Sequence, residues 1–285
     1  CEGHALVVPN SLHLYCIEGI KGVKIHPVLL CNWRNCLTQL PQQPEAVIHL
    51  AWKGVSPEYR NSLLHQKENI EHCLDSVQMT KALGASRYIL LGSTMEYAMS
   101  GEVITDRTAP SPMNAYGAVK VACRYLCAAL CKELKIPFIY AVATGIYAPD
   151  RRDNNVIYYT INQLLNRRKP SLTKLEQLWD YVHIDDVVEA LYLIAIKGKK
   201  DSFYCIGHGD RFPLSNYIFK IRELIDPSLP LGIGDIAYGD SKGKLPCSCV
   251  DISNLHNDTG FSPKISFEEG IKEVIEAIKK EQINI

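Results

Sequence analysis

Short runs of β-branched and aromatic residues recur along the chain, separated by stretches in which apolar residues return every three or four positions. The runs predict buried strands at residues 5–8, 23–30, 46–52, 87–93, 137–144 and 202–206. The clearest predicted helices span residues 57–83, 113–134 and 185–196. Strands that alternate with helices in this way form a mostly parallel sheet covered on both faces. The pattern therefore predicts an α/β fold with a doubly wound sheet.

The later part of the chain is less regular. Residues 154–179 and 214–285 contain many chain breakers, among them Pro230, Gly232, Gly234, Gly239 and Gly243. We therefore expect a smaller C-terminal lobe beside the main domain.

The front of the chain lacks an element that this fold uses to bind phosphates. A doubly wound nucleotide-binding sheet opens with a strand, a glycine-rich turn and a helix whose N-terminus holds a pyrophosphate. The sequence instead begins at Cys1, and Glu2-Gly3-His4 is typical of the turn into a second strand. We expect a first strand, turn and helix of about 20 to 25 residues to precede Cys1. We also expect the chain from Cys1 onward to bind a dinucleotide weakly or not at all. Gly232 and Gly234 are a poor substitute for the glycine-rich turn, because they neither follow a sheet strand nor open a clear helix.

Composition indicates a small-molecule partner. Lysine plus arginine and aspartate plus glutamate both number 31, so no global field attracts nucleic acid or an anionic membrane. Neither a membrane span nor a signal peptide is indicated, and we expect a cytoplasmic protein.

The eleven cysteines are interpreted as reduced thiols. Cys123, Cys127 and Cys131 repeat every four residues along one helix face, which is more typical of a packed seam than of metal ligands. Cys247 and Cys249 have no second ligand pair nearby, so no metal site is expected.

Tyr116-Gly-Ala-Val-Lys120 places a tyrosine and a lysine one helical turn apart on the same face. The ammonium favours the phenolate, so the phenol can exchange a proton with a substrate alcohol or ketone near neutral pH. A second copy of the spacing, from Tyr238 to Lys242, lies among turn-forming residues. Tyr116 instead follows Asn114 and opens a long amphipathic run. We take Tyr116 and Lys120 as the candidate pair, and two ordinary surface residues as the alternative.

Polar residues also follow or interrupt predicted strands. The run 87–93 ends in Ser93, at the sheet edge where α/β proteins bind ligands, so Ser93 can hydrogen-bond the oxygen that Tyr116 protonates. A plain polar turn is the alternative. His49 is interpreted as a core histidine rather than a base, and Asp185 and Asp186 as capping residues of the helix that follows.

In this order and at these separations, several segments resemble the extended short-chain dehydrogenase/reductases of the NAD-dependent epimerase/dehydratase family. His49 to Trp52 is similar to the family's His-Leu-Ala-Ala, and Ser93 with Tyr97-Ala98 is similar to its Ser/Thr ahead of Tyr-Gly. Tyr116 and Lys120 stand at its catalytic pair. Tyr147-Ala-Pro149 is similar to its Tyr-Gly-Pro, and Trp179-Asp180-Tyr181 through Asp186 is similar to its Arg-Asp-Tyr-x-x-x-x-Asp. The likeness covers nearly the whole chain.

The resemblance implies a Rossmann-like sheet, an NAD or NADP cofactor, and catalytic roles for Ser93, Tyr116 and Lys120. It implies cofactor contacts from the backbone at Leu50, Ala51 and Trp52 and near Ala143 and Thr144. It assigns residues 1–150 and 180–210 to a dinucleotide-binding domain, and residues 151–179 and 211–285 to a substrate-binding lobe. It also implies a homodimer whose helices pair in a four-helix seam, with Leu64, Ile70, Leu74, Cys127 and Cys131 on the paired faces.

Departures from the family pattern restrict the chemistry. Thr94 and Met95 stand where the 4,6-dehydratases carry Asp and Glu, so the acid and base for eliminating water are absent and that reaction is disfavoured.

Other departures concern ligand binding. Trp179 replaces the usual arginine, and Val142 and Gly145 replace an arginine and an asparagine. We expect substrate contacts instead from Thr94, Gly145, Arg151 or Arg152, and Trp179. Asn10 stands near the position where an acidic residue would bind the ribose 2′-hydroxyl of the cofactor, so the choice between NAD and NADP stays open.

These features favour a 4-epimerase or 4-keto reductase of a nucleoside-diphosphate sugar, acting in surface-polysaccharide synthesis. The alternatives are a reductase of a non-sugar ketone and a catalytically silent binding protein of the same fold.

Overall fold

The computed structural model describes residues 2–11, 14–56, 58–150, 155–237 and 245–283. The strands are β1 Gly3–Val7, β2 Val23–Pro27, β3 Val47–His49, β4 Tyr88–Ser93, β5 Phe138–Ala143, β6 Gly145–Tyr147, β7 Ser171–Leu172, β8 Leu178–Trp179, β9 Tyr181–His183, β10 Ser202–Ile206, β11 Phe212–Pro213 and β12 Gly232–Ile233. The α-helices are α1 Leu63–Gln66, α2 Glu68–Leu83, α3 Ala115–Leu134, α4 Val156–Leu165, α5 Ile184–Lys197, α6 Leu214–Ile225, α7 Ser253–Thr259 and α8 Phe267–Ile283. Residues 14–16, 30–39 and 94–96 form 3-10 helices.

Each of the six runs expected to form strands overlaps one, with β1 beginning two residues earlier than expected, and the fold is α/β as expected. Four of them form a sheet in the order β10-β5-β4-β3, with β3 and β4 parallel. All six residues of β5 are buried, as the apolar composition of a doubly covered strand requires. Strands β1 and β2 form a parallel pair of their own.

The expected helix at 57–83 is wrong at its start, because the described residues 58–62 form turns and the long helix α2 begins only at Glu68. Two buried amides hold the preceding loop in a non-helical path. Gln66 Nε2 donates to the carbonyls of Gly54 at 2.7 Å and Tyr59 at 3.2 Å. Asn69 Oδ1 accepts from Lys53 N at 2.8 Å, and its Nδ2 donates to Lys53 O at 3.0 Å.

The later part of the chain contains more helix than its glycines and prolines indicated. Helices α4, α6 and α8 each turn an apolar face inward, and these faces meet in one core, to which they contribute Ile157, Ile161, Ile218, Ile221, Ile271, Val274 and Ile275. The rings of Tyr181, Tyr217 and Phe267 pack in the same cluster, with centroids 4.7 to 5.8 Å apart.

The chain divides into two compact units. The first unit comprises Cys1–Gly92, Asn114–Tyr140 and Lys199–Ser202, and the second comprises Ser93–Met113, Ala141–Gly198 and Phe203–Ile285. The assignment of a cofactor-binding domain and a substrate-binding lobe stays a prediction. In the described segments, no helix has the length and apolar character needed to span a bilayer.

The cysteine stripe lies inside the first unit. Cys123, Cys127 and Cys131 are each no more than 1 % exposed. Burial raises the pKa of Cys131 to about 12, so this thiol stays protonated and acts as an apolar group. The expectation that Cys127 and Cys131 face a second subunit is wrong, because their own chain already covers them. Leu64 is 71 % exposed, whereas Ile70 and Leu74 are half-buried.

Asp185 and Asp186 do not cap α5, contrary to expectation. The helix begins at Ile184, and His183 is the capping residue, since its Nδ1 accepts from Asp185 N at 3.3 Å. Asp186 is buried, and its two carboxylate oxygens accept from Lys264 N at 3.0 Å and Ile265 N at 3.1 Å. Asp186 therefore fixes the segment that leads into α8.

We predict that Asp186→Ala lowers the free energy of unfolding by about 3 kcal/mol, because two backbone N–H groups lose a charged acceptor. Chemical denaturation would measure it. Asp185→Ala is the matched control, since the neighbouring side chain is 75 % exposed and its loss from the first helical turn should cost less than about 1 kcal/mol. Equal effects of the two changes would contradict the assigned role of Asp186.

Candidate active site

Tyr116 is held at the start of α3 by its backbone. Asn114 caps the helix, with Oδ1 accepting from Gly117 N at 2.9 Å. The Tyr116 N–H donates to Arg60 O at 2.9 Å. The Arg60 guanidinium carbon lies 5.9 Å from the centre of the Tyr116 ring. The phenol ring is half-buried and has a fixed cation on one side.

Lys120 lies one helical turn further along α3 and is only 6 % exposed. Its Nζ donates to Leu91 O of β4 at 2.7 Å and lies 5.8 Å from the centre of the Tyr116 ring. Burying an ammonium costs several kcal/mol unless acceptors compensate for the lost water. The pair identified from sequence spacing is therefore a pair in space, with its cation inside the protein.

Trp52 contacts both members of the pair. Lys120 Nζ lies 3.9 Å from the centre of the indole, and the Tyr116 ring meets the indole edge-on with centroids 5.6 Å apart. The indole Nε1 donates to Gln66 Oε1 at 2.8 Å. The sequence indicated only backbone contacts at this position, because an aromatic side chain reaching Lys120 across 68 positions leaves no local pattern.

The neighbouring residues of the same loop have different environments. Leu50 and Ala51 are exposed, which leaves this part of the loop accessible to a ligand. His49 is buried beside Cys73, with Nε2 3.5 Å from its Sγ. Burial, assisted by the charge of Lys120, lowers the pKa of His49 to about 4. His49 is therefore neutral at physiological pH and part of the core, in agreement with the sequence interpretation.

Ser93, in the second unit, ends β4 and is fixed by its own backbone turn. Its N–H donates to Glu96 Oε1 at 2.7 Å, and its Oγ accepts from Met95 N at 3.3 Å. The hydroxyl proton can then be donated to a substrate oxygen. Sequence reasoning did not identify Glu96, although a serine followed three residues later by a glutamate is the signal of such a reciprocal cap.

Thr94 is buried, and its Oγ1 accepts from Ser248 Oγ at 2.7 Å. Ser248 also lies beside Trp179. Its N–H donates to Leu178 O at 3.1 Å, and the two residues form an isolated parallel β-bridge. Thr94, Ser248 and Trp179 therefore form one contiguous strip in the second unit. No local pattern in the sequence indicates Ser248, which is 154 positions from Thr94.

Gly145 and Trp179 fit each other directly. A Cβ atom on residue 145 would lie 2.8 Å from Trp179 Nε1 and equally close to the Tyr181 ring, so any larger residue would displace them. Trp179 Nε1 is buried and has no hydrogen-bond partner in the part of the chain that the structure describes. Val142, the other departure in this region, is fully buried in β5 and offers no polar group to a ligand.

Thr144 follows β5, and the cofactor contact expected there stays a prediction. Its Oγ1 is buried and lacks a hydrogen-bond partner within the described segments, so it can still bind a polar ligand group. Ala143, the last residue of β5, is also buried. Asn10, just after β1, adopts the left-handed conformation with φ 59°. Arg151 and Arg152, and the second tyrosine–lysine spacing at Tyr238 and Lys242, lie outside the described residues.

In the first unit the structure brings together Trp52, Tyr116 and Lys120. In the second unit it places Gly145 against the strip formed by Thr94, Ser248 and Trp179. The expectation that Ser93, Tyr116 and Lys120 face a common cleft stays a prediction.

Asp180 is a fully buried carboxylate between Trp179 and Tyr181. It accepts from His208 N at 3.3 Å and Gly209 N at 3.0 Å. Burial raises the pKa of Asp180 to about 7, and the Gly209 N–H only partly offsets this effect. The carboxyl group is therefore partly protonated near neutral pH.

We predict that Asp180 makes stability fall as the pH rises from about 4 to about 7. The folded protein binds this proton more tightly than the unfolded chain, so the contribution is complete below the unfolded pKa of 3.8 and is lost as the pH passes the folded pKa of about 7. Over that window the wild type should lose up to about 4 kcal/mol relative to Asp180→Asn. Denaturation at several pH values would measure the difference. The exposed Asp106→Asn is the control for charge, and a parallel pH dependence of Asp180→Asn and wild type would disprove the prediction.

Comparison with known proteins finds dTDP-glucose 4,6-dehydratases among the chain's relatives. The chain is 26 % identical over 180 residues to a dTDP-glucose 4,6-dehydratase of Escherichia coli, an alignment that covers 61 % of this chain and 50 % of the relative. The chain therefore spans about half the length of this curated relative.

Solved structures show the same fold. The UDP-glucuronic acid 4-epimerase of Bacillus cereus, in complex with UDP-glucuronic acid and NAD, superposes with a TM-score of 0.83 at 18 % identity, covering 98 % of this chain and 91 % of that one. RMD from Pseudomonas aeruginosa, complexed with NADPH, gives a TM-score of 0.79 at 18 % identity, covering 98 % of this chain and all of that one.

The family comparison extends over most of the sequence. The NAD dependent epimerase/dehydratase family matches residues 2–207 of the 285. The match includes β3 with Trp52, Ser93, the Tyr116 and Lys120 pair, and the segment around Trp179. The chain belongs to the NAD dependent epimerase/dehydratase family.

Proposed function

We propose that the protein is an NAD(P)-dependent 4-epimerase or 4-keto reductase of a nucleoside-diphosphate sugar, with Ser93, Tyr116 and Lys120 as its catalytic residues. The observation that carries the proposal is the buried Lys120 ammonium, one helical turn from Tyr116 and hydrogen-bonded to Leu91 O. A cation at that place favours the phenolate and so makes Tyr116 a proton acceptor near neutral pH.

Each residue then has a defined task. Tyr116 takes the proton from the 4-hydroxyl of the sugar, or returns one to the 4-keto oxygen. Lys120 stabilises the phenolate and would also hold the cofactor, and Ser93 donates its hydroxyl proton to the reacting oxygen. Bound NAD(P) would supply the acceptor or donor of the hydride that leaves or reaches the sugar carbon. The backbone at Leu50, Ala51 and Trp52, together with Ala143 and Thr144, would hold the cofactor.

Substrate contacts are proposed for Thr94, Gly145, Arg152 and Trp179. Support comes from the indole N–H of Trp179, which has no hydrogen-bond partner among the described residues, and from the buried strip that Thr94 forms with Ser248. An indole offers a flat apolar face and one donor, which suits a base or a sugar ring better than a phosphate. The diphosphate would then depend on Arg152.

Epimerase or reductase chemistry is favoured over dehydration, although the E. coli relative is a dehydratase. Elimination of water requires an acid and a base beside the catalytic serine. Thr94 is bound to Ser248, and Met95 has no ionisable group. Glu96, the nearest carboxylate in sequence, accepts from Ser93 N through Oε1 and serves the backbone.

Two alternatives remain distinguishable. A reductase of a non-sugar ketone would use the same pair without a nucleotide, and a silent binding protein would bind a nucleotide sugar without turnover. A role in surface-polysaccharide synthesis and a cytoplasmic location are part of the same proposal.

We predict that Tyr116→Phe lowers turnover by about 10²- to 10⁴-fold, since the acid/base group is lost while the ring remains. Ser93→Ala should also reduce turnover. Purified full-length protein would be incubated with UDP- and dTDP-sugars and NAD(P)(H), following absorbance at 340 nm and sugar products by NMR. Tyr125→Phe, on the same helix but 56 % exposed, is the control and should keep full activity.

The same assay separates the candidate reactions. A 4-epimerase converts the sugar without net change in NAD(P)H, whereas a 4-keto reductase consumes it stoichiometrically. Turnover of simple ketones but of no nucleotide sugar would replace the proposal with the first alternative. Binding of nucleotide sugars without turnover by any combination would replace it with the second.

We predict a homodimer through the exposed apolar residues of α1 and α3. Leu63, Leu64 and Leu126 are exposed on these two contacting helices, which is unusual for a surface that meets only water. Light scattering at micromolar concentration should give about twice the mass of one chain. Leu64→Glu should shift the mass towards one chain, and a monomeric wild type would refute the prediction.

A further inference from the structure

The aromatic loop residue Trp52 is not explained by backbone contacts with a cofactor. The family carries alanine at this position, whereas here an indole lies between the loop after β3 and the face of α3 that bears Tyr116 and Lys120. The replacement adds a large side chain at the catalytic pair, so its contacts have to be accounted for.

The indole is rigidly placed. Its N–H donates to Gln66 Oε1 at 2.8 Å, and Gln66 is fully buried and bound through Nε2 to Gly54 O and Tyr59 O. The buried Asn69 side chain binds the backbone N–H and carbonyl of the neighbouring Lys53. A cation placed over this ring meets a surface that cannot easily move away.

The ring offers Lys120 the interaction that a buried cation needs. Lys120 Nζ is 3.9 Å from the centre of the indole, well within the range of about 6 Å for a cation–π contact, and the attraction is strongest where water is excluded. The Leu91 carbonyl binds the same Nζ at 2.7 Å. Together these two contacts fix the direction of the ammonium group relative to Tyr116.

We propose that Trp52 is a positioning residue for the catalytic pair, whose indole face holds the Lys120 ammonium and whose ring supports the Tyr116 phenol. The inference rests on the proposed function in assigning Tyr116 the role of acid/base. Without the aromatic face, the ammonium is less fixed and less stabilised, and the phenolate of Tyr116 loses part of its support.

The charged groups around the pair set the expected titration. Lys120 on its own helix and Arg60 from the loop before α1 face Tyr116, and both favour the phenolate. His49 from β3 and Cys73 from α2 interact with Lys120. His49 is neutral at physiological pH and Cys73 is a buried thiol, so neither replaces Trp52 as a partner of the ammonium.

Two matched variants isolate the aromatic face. Trp52→Phe and Trp52→Leu both remove the indole N–H and leave Gln66 Oε1 without that donor, but only Trp52→Phe keeps a ring. Any difference between them therefore reports the aromatic contact. Phe219→Leu, which removes an exposed ring 5.5 Å from Arg222, is the control for loss of an unrelated aromatic–cation pair.

The first measurement is the position of Lys120 in NMR spectra of lysine-labelled protein. Protons over an aromatic face are shifted upfield, so the Lys120 Hε signals, assigned by their loss in Lys120→Arg, should lie upfield in wild type and Trp52→Phe. They should return to the range of ordinary lysines in Trp52→Leu. Unshifted Lys120 signals in the wild type would overturn the contact itself.

The second measurement is the titration of Tyr116, followed through a ¹³C label at Cζ and assigned with Tyr116→Phe. We expect the pKa of Tyr116 to be up to about one unit higher in Trp52→Leu than in Trp52→Phe, with the pH profile of turnover shifted upward to match. Phe219→Leu should titrate as wild type. Identical titration of the two Trp52 variants would overturn the proposal.

The outcomes also separate the two claims. Full turnover of Tyr116→Phe would overturn the proposed function and with it the purpose of Trp52, even if the Lys120 shift is present. Loss of turnover in Tyr116→Phe, with no difference between the two Trp52 variants in turnover or titration, would overturn only the positioning role.

Discussion

A lysine ammonium shielded from water is the constraint around which the first unit is arranged. Lys120 is buried, and an uncompensated charge there would cost more than most single interactions in a protein supply. Its compensation comes from the Leu91 carbonyl and the Trp52 ring. The ring in turn depends on Gln66, which ties down the backbone at Gly54 and Tyr59. The buried amide of Gln66 therefore connects the backbone of this loop to the ring that faces the ammonium.

The second unit uses buried carboxylates for a comparable purpose. Glu96 accepts from Ser93 N, Asp180 from His208 N and Gly209 N, and Asp186 from Lys264 N and Ile265 N. Asp180, between β8 and β9, and Asp186 on α5 each bind the backbone of an irregular segment, whereas Glu96 closes the turn that follows Ser93. Hydrogen bonds are strong where the surroundings are apolar, so these buried carboxyl groups order the backbone around them.

The features found from the sequence are those with a short-range signature. Strand runs, the long helices and the spacing of Tyr116 and Lys120 depend on neighbours within one or two turns, and the structure contains them apart from the first residues of the helix expected at 57–83. The contacts of Trp52 with Lys120, Ser248 with Thr94 and Asp186 with Lys264 join residues far apart in sequence. Which distant side chain fills a given space is set by tertiary packing, and no local pattern in one sequence carries that information. The error at Cys127 and Cys131 has the same origin, because a stripe of small residues does not say whether its own chain or another covers it.

The interlocking of Gly145 with two aromatic rings limits how the ligand preference of this region can be redesigned. A Cβ atom on residue 145 would lie 2.8 Å from the Trp179 indole and from the Tyr181 ring, so a larger residue there requires both rings to move. Replacing Trp179 alone would leave the conflict with Tyr181 in place. Positions 145, 179 and 181 therefore have to be varied together, as one combinatorial unit.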